Sequence, residues 1–209
     1  LIVMPIAING NGTITGVTVG GLPDGIVDTD MLAANAVSSA KLASGVGGKV
    51  LQIKQFRKTD TFSSSSNGFV DIGVAVNITP VAAGSTILIC AGYSGYTVKG
   101  SGGAGKIVRT IGGSAQDIGK ADAASSRNVS SFSGHLYTAD GSNSNLMSLA
   151  PHTQLEDTPT YSVGDTINYK IQCHPENNEL RINYQENDVD NTGDGNRTTS
   201  YITCMEIAA

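Results

Sequence analysis

The segment Gly100-Ser101-Gly102-Gly103-Ala104-Gly105-Lys106 fits the first seven positions of a phosphate-binding loop, in which backbone amides cradle phosphates and a lysine reaches the outermost one. The next position needs a Ser or Thr hydroxyl for magnesium, and it holds Ile107. Such a loop must also open a helix, whereas Lys106-Ile107-Val108-Arg109 has strand character. The stretch is therefore read as a glycine-rich hairpin loop. In the acidic run Glu186–Gly195, Asp188, Asp190, Thr192 and Gly193 take the first, third, fifth and sixth places of a calcium loop. The twelfth place is Thr199 instead of a bidentate Glu, so a polar turn between strands is expected. His135, His152 and His174 have no metal-ligand spacing, and no nucleophile elbow accompanies them. Paired carboxylates of a glycosidase meet only in the fold, but the aromatics that usually hold sugars are few. Tyr93, Tyr96, Tyr137 and Tyr161 are the candidates, with core or interface packing the expected use of each. No catalytic, cofactor-binding or metal-ligating residue is assigned, and an enzyme is not expected.

The elements that would position such residues are strands. With 26 glycines, only 15% charged residues and many Ser, Thr, Asn and Ala, the chain favours short strands joined by turns over helices. It has no Trp, so its core must be built from Val, Ile, Leu and Ala. The net charge of -5 argues against a nucleic-acid partner, which needs a basic face. Lys54, Arg57 and Lys58 come nearest to one and are read as a solvated strand end. Cys90, Cys173 and Cys204 each sit in an apolar run and form no Cys-x-x-Cys pair, so three buried, unbridged thiols of a chain made in a reducing cytoplasm are expected. No leader is legible, and no apolar run approaches the roughly 20 residues of a membrane span, so membrane insertion is not expected.

Two regions are expected. Residues 1–48 form a docking or stalk segment: turn chemistry at Asn9–Gly12 and Gly20–Gly25 encloses the alternation Thr13–Val19. A repeat of about ten residues follows, matching Val27 with Val37, Thr29 with Ser39, Leu32 with Leu42 and Ala33 with Ala43. Its anchors Val27, Leu32, Val37 and Leu42 offer too little apolar area to order one chain alone, whereas three copies around an axis bury them together. One short amphipathic helix over Thr29–Ala43, capped by Asp28 and stopped by Gly45, is the other reading. Either demands a partner surface. From Lys49 the period becomes two. Strands are expected from Val50 and over Phe69–Ile78, Thr86–Tyr93, Lys106–Ile111, Thr166–Cys173, Leu180–Tyr184 and Ser200–Ile207, with fainter ones at Ser131–Thr138 and Asn145–Leu149. Residues 49–209 thus read as an all-β head, an antiparallel jelly-roll-like β-sandwich on an extended or short-helical stalk.

Several stretches resemble tail-fibre and related structural proteins of marine bacteriophages. They are Gly12-Thr13-Ile14-Thr15-Gly16 with Val19–Gly25, and Ala36-Val37-Ser38-Ser39-Ala40-Lys41-Leu42-Ala43, which is similar to the Ala-Val-Thr-Thr-Ala-Lys-Ile-Ala repeats of fibre stalks. Gly48–Gln52, Ile78-Thr79-Pro80, Gly84–Ile89 and Ser200–Ile207 resemble landmarks of the C-terminal domain. The resemblance implies a homotrimeric structural subunit of the virion, assembled in the host cytoplasm. It would dock to other tail or capsid proteins through its N-terminal segment and present loops to a host-surface glycan or protein. Capsid decoration and a baseplate role are the alternatives; a polysaccharide depolymerase fits less well, since no long repetitive β-helix is present. Because loops vary while sheets hold their ends, recognition is expected in Ser94–Gly105 and Gly112–Ser130. The candidate residues there are Ser94, Tyr96, Ser101, Ser114, Gln116 and Ser126.

Overall fold

The computed structural model describes residues 7–8, 14–15, 37, 41, 49–97, 103–123, 125–134, 152–175, 179–184 and 197–209. By contacts the chain divides into two compact units, Leu1–Gly48 and Lys49–Ala209. In the first, β1 (Ala7–Ile8) pairs antiparallel with β2 (Ile14–Thr15). The anchors Val27, Leu32 and Leu42 lie outside the described residues, and Val37 is exposed.

The second unit is all-β, and no α-helix occurs among the described residues. Its strands are β3 (Val50–Lys58), β4 (Phe62–Ser64), β5 (Val70–Ile78), β6 (Thr86–Gly92), β7 (Gly95–Thr97), β8 (Gly103–Ile111), β9 (Ser114–Ile118), β10 (Phe132–Gly134), β11 (His152–Asp157), β12 (Ile167–Pro175), β13 (Leu180–Ile182) and β14 (Ser200–Ile207). One sheet has the order β11-β6-β14-β3. The other runs β5-β12-β8, with β9 and β10 end to end along the far edge of β8. Every pairing is antiparallel. Each sheet draws strands alternately from early and late in the chain, which is the jelly-roll arrangement of two intertwined Greek keys. A third small sheet, β4-β13-β7, lies across one end of the sandwich.

Period-two alternation puts one residue set between the sheets. Ile72, Ile78, Ile87, Ile89, Ile107, Ile167, Ile171, Ile182 and Ile202 are essentially inaccessible, joined by Tyr169, Cys173 and Cys204. This β-branched core follows from the lack of Trp: stiff isoleucines fit a pleated surface at little entropic cost. Four strands escaped sequence reading, namely β4, β7, β9 and β11. The first two are three residues long, and β9 and β11 are rich in polar residues. The faint strand expected at Asn145–Leu149 lies outside the described residues.

Both ends of the core are closed by polar groups. At the end carrying Val50, Ile78, Thr86 and Ile207, Glu206 points inward and is fully buried. Its carboxylate accepts hydrogen bonds from Gln52 Nε2 (2.6 Å), Val81 N (3.0 Å), Ala82 N (3.1 Å) and Ser85 Oγ (2.9 Å). The loop between β5 and β6 is thereby tied to the last strand. Tyr161 completes the closure, its hydroxyl donating to Ala82 O (2.7 Å) and accepting from Ser85 N (2.9 Å). At the opposite end, Asn183 is fully buried in the left-handed region (φ 66) and donates to Lys58 O and Asp60 O. Ser200 Oγ donates to its side-chain oxygen (2.7 Å) and accepts from Ser94 N (3.1 Å). Lys58, read as solvated, is buried here and ion-paired with Asp60 (2.7 Å). Its ammonium crosses a bulge in β5 where Gly73 has φ 78, and a Cβ there would approach Nζ to 3.3 Å.

Two consequences are measurable. Burial pushes the pKa of Glu206 up, but the hydrogen bonds from Gln52, Val81, Ala82 and Ser85 outweigh it and hold the carboxyl below its ordinary value of 4.5. A folded pKa below the unfolded one gives stability that is complete above the unfolded value and lost as pH falls through the folded one. Glu206→Gln should be destabilised by about 2 kcal/mol at neutral pH, because it keeps the shape but loses charge-assisted acceptors. Between about pH 5 and 3 the difference from wild type should shrink, and a constant difference in urea midpoint would refute this assignment. The thiols give the second test. Cys173 and Cys204 are buried and unbridged, and burial pushes Cys204 up to about 12. Ellman reagent should leave both unreacted in native protein and reach both in urea, with only the half-buried Cys90 partly reactive.

Candidate functional site

The β8–β9 connection is a two-residue hairpin: Ile111 pairs with Ser114, and Gly112 and Gly113 between them have φ 54 and 83. Positive φ at both central residues is what a tight hairpin with the correct twist requires, hence two glycines. Beyond this turn the ladder sets Gln116 opposite Arg109, and β12 sets Tyr169 beside Arg109 on its other flank. Asp157, the last residue of β11, reaches them from the opposing sheet.

Arg109 Nη1 meets Asp157 Oδ1 at 2.6 Å and Tyr169 Oη donates to Asp157 Oδ2 at 2.7 Å, while Arg109 Nη2 donates to Gln116 Oε1. Tyr169 is inaccessible and Asp157 is 8% exposed, so the triad is a closed clasp between sheets. Burial, then the neighbouring carboxylate, push the Tyr169 phenol well above its usual range, so it remains the donor. Over the clasp lies a groove of about 590 Å³ lined by Arg109, Ile111, Ser114, Ala115, Gln116, Thr158 and Thr160. Hydroxyls and an amide dominate the lining, and the guanidinium is neutralised by Asp157. Both oxygens of Asp157 are engaged, so drawing a proton would first break a buried hydrogen bond.

The expected recognition residues are dispersed. Ser114 and Gln116 do line this groove, but from strand β9 and not from a loop. Ser94 is 4% exposed and its backbone is held by Ser200 and Asn183, so it is a core-end residue that no outside ligand reaches. Tyr96 lies in β7. Ser126 is exposed in the excursion between β9 and β10, whose neck Ser131 ties by donating to Ile118 O (2.8 Å) and accepting from Ile107 N (3.2 Å). Ser101, His135, Tyr137 and the acidic run 186–195 lie outside the described residues. Lys106, the lysine of the phosphate-loop pattern, is in β8; it pairs with Asp117 (3.0 Å) and stands 4.6 Å from the Phe69 ring centroid. His152 is exposed on β11, and His174 packs on Phe69 with Nε2 at 3.0 Å from Asn67 O. Tyr93 is core and Tyr161 closes the Glu206 end. No group of three or more potential metal-ligating side chains occurs among the described residues. Sequence reading missed the Arg109–Asp157–Tyr169 clasp; its one visible signal is Arg109 at a core-facing phase of an apolar strand.

Comparison with known family models and with curated proteins returns no match.

Removing the guanidinium leaves a buried carboxylate unpaired. Arg109→Met should cost about 3 kcal/mol in urea unfolding, and adding Asp157→Asn should recover part of it. Strictly additive losses would mean that the two groups do not act as one clasp.

Proposed function

We propose that this chain is a structural subunit of a bacteriophage particle, a non-enzymatic homotrimeric tail-fibre or spike protein that takes part in host attachment. The observation that carries the reading is the stalk-type repeat with anchors Val27, Leu32, Val37 and Leu42, followed at once by a sandwich of nine described strands. A repeat that cannot bury its anchors alone calls for copies in parallel, and the sandwich is the kind of scaffold that holds variable loops.

The polarity of the sandwich supports the assignment of roles. The chain enters the head at Lys49, at the end closed by Glu206, where the connections 79–85, 112–113 and 158–166 are short. The connections 135–151 and 183–199 leave from the opposite end. Recognition then belongs to that opposite end, and three heads on one fibre multiply a weak contact per head. The virion is the proposed location, with the N-terminal segment docking to other tail or capsid proteins.

Leu32→Asp with Leu42→Asp should convert a sedimenting trimer into monomers without changing the circular dichroism of the head. Gold-labelled antibody against the chain should decorate the tail of intact phage. Decoration of the capsid instead would make it a head fibre, and a wild type already monomeric at micromolar concentration would defeat the stalk reading. Release of new reducing ends from host glycan would make it a depolymerase.

A further inference from the structure

The two sheets present very different outer faces. That of β5-β12-β8 carries Asp71, Lys170, Gln172, Lys106 and Asp117, knitted by ion pairs such as Lys170–Asp71 (2.8 Å) and Lys106–Asp117 (3.0 Å). It is a solvated face of the ordinary kind. On β14, Ile202, Cys204 and Glu206 point inward, so Met205 and Ile207 point outward. The ladders set Met205 between Ile53 of β3 and Leu88 of β6, and Ile207 between Val50 and Thr86. On β3, β14 and β6 this outer face is therefore apolar at one end, bordered on β11 by the exposed Glu156 opposite Leu88, and toward Arg57, Tyr201 and His152 it turns polar.

Exposure is concentrated there. Val50 is 50% exposed, Leu51 38%, Ile53 58%, and Val81, in the loop that Glu206 holds, 62%. Elsewhere in the described head only Phe56, also on β3, and Val163 are large, apolar and exposed. Val50 and Ile53 are the exposed members of the β3–β14–β6 face, and an exposed apolar face of this kind marks an interaction surface.

The strand edge beside it does not invite pairing. β3 carries exposed Lys54 and Arg57 and follows exposed Lys49, so two β3 edges laid antiparallel would set cations against cations. Edge-to-edge joining of sheets is disfavoured, while packing through the face is left open. The patch also begins beside the residue at which the chain enters the head: Lys49 precedes Val50, and Ala208 N, following Ile207, donates to Lys49 O at 2.7 Å. In a parallel trimer three heads are tethered at that residue, which raises their mutual effective concentration toward the millimolar range for short linkers. A modest apolar patch then suffices to associate.

We propose that the outer face formed by Val50, Ile53, Leu88, Met205 and Ile207 is the surface through which the heads of three copies of this chain pack around their common axis. This rests on the trimer reading above and specifies which face is hidden in it.

The test uses the full chain with Ile53→Cys, and Val163→Cys as a control of matched exposure on the loop after β11. Maleimide labelling is followed at a concentration where sedimentation gives the mass, with the unsubstituted chain supplying the background of the native thiols. A trimer labelled at least tenfold more slowly at Ile53→Cys than at Val163→Cys is expected. Met205→Lys should bring the labelling at Ile53→Cys up to the control rate. A trimer that labels equally at both positions overturns the proposed face and leaves the trimer standing. Slow labelling of a monomer also overturns it, because another surface then covers the patch. Fast labelling of a monomer defeats the trimer reading itself.

Discussion

An isoleucine core between two sheets is sealed along the strands but open at their ends, where backbone groups of connecting loops must find partners away from water. The buried carboxylate of Glu206 meets that need at one end. Four donors from two separate segments converge on it, so the stop of β14, the loop after β5 and the start of β3 are fixed by a single side chain. Asn183 does the same at the other end with a neutral amide, tying β3, β6 and β14 through Ser94 and Ser200. Between them Arg109, Asp157 and Tyr169 clasp sheet to sheet near the margin of the core. Each device is a polar group whose partners are all supplied, which is the condition under which buried polarity specifies structure instead of weakening it.

These closures give the head two unlike ends. Short connections and the incoming chain share one, and the long excursions leave from the other. The apolar half-face lies at the first and fades toward the second. The two ends are separated by the length of the strands, about 25–30 Å for strands of eight or nine residues.

Long strands with clean alternation, such as Phe69–Ile78 and Thr166–Cys173, were legible because one face is all apolar and the turn residues beside them are unambiguous. Their number, without helices between them, pointed to a jelly-roll-like antiparallel sandwich, while the strand order is given by the pairings. What stayed hidden was short or half-polar. β9 and β11 lie at sheet margins, where one face meets Arg109 or water, and their alternation is diluted by Gln116, Gln154 and Glu156. The excursion 119–131 interrupts one edge of β8, so Gly112–Ser130 looked like a single loop although five of its residues are strand. Ser94 was misread because a small polar residue beside glycine has turn chemistry whether it faces solvent or holds a buried Ser200. Glu206 carried a usable signal: a charge at the inward phase of an apolar strand must be either an error of register or a buried acceptor.

The place of β14 in its sheet bears on how such a chain is made. It sits between β3 and β6, and its ladder to β3 joins Val50 to Ile207. No other strand can stand in for it, so during synthesis the sheet lacks an interior member until residues 200–207 have left the ribosome. Until then β3 and β6 are separate edges with no shared partner, and the core that they should cover lies open. Pairings of such sequence separation are slow to form and leave apolar surface exposed to other chains meanwhile. The interval before β14 docks is when association with the wrong neighbour competes with folding.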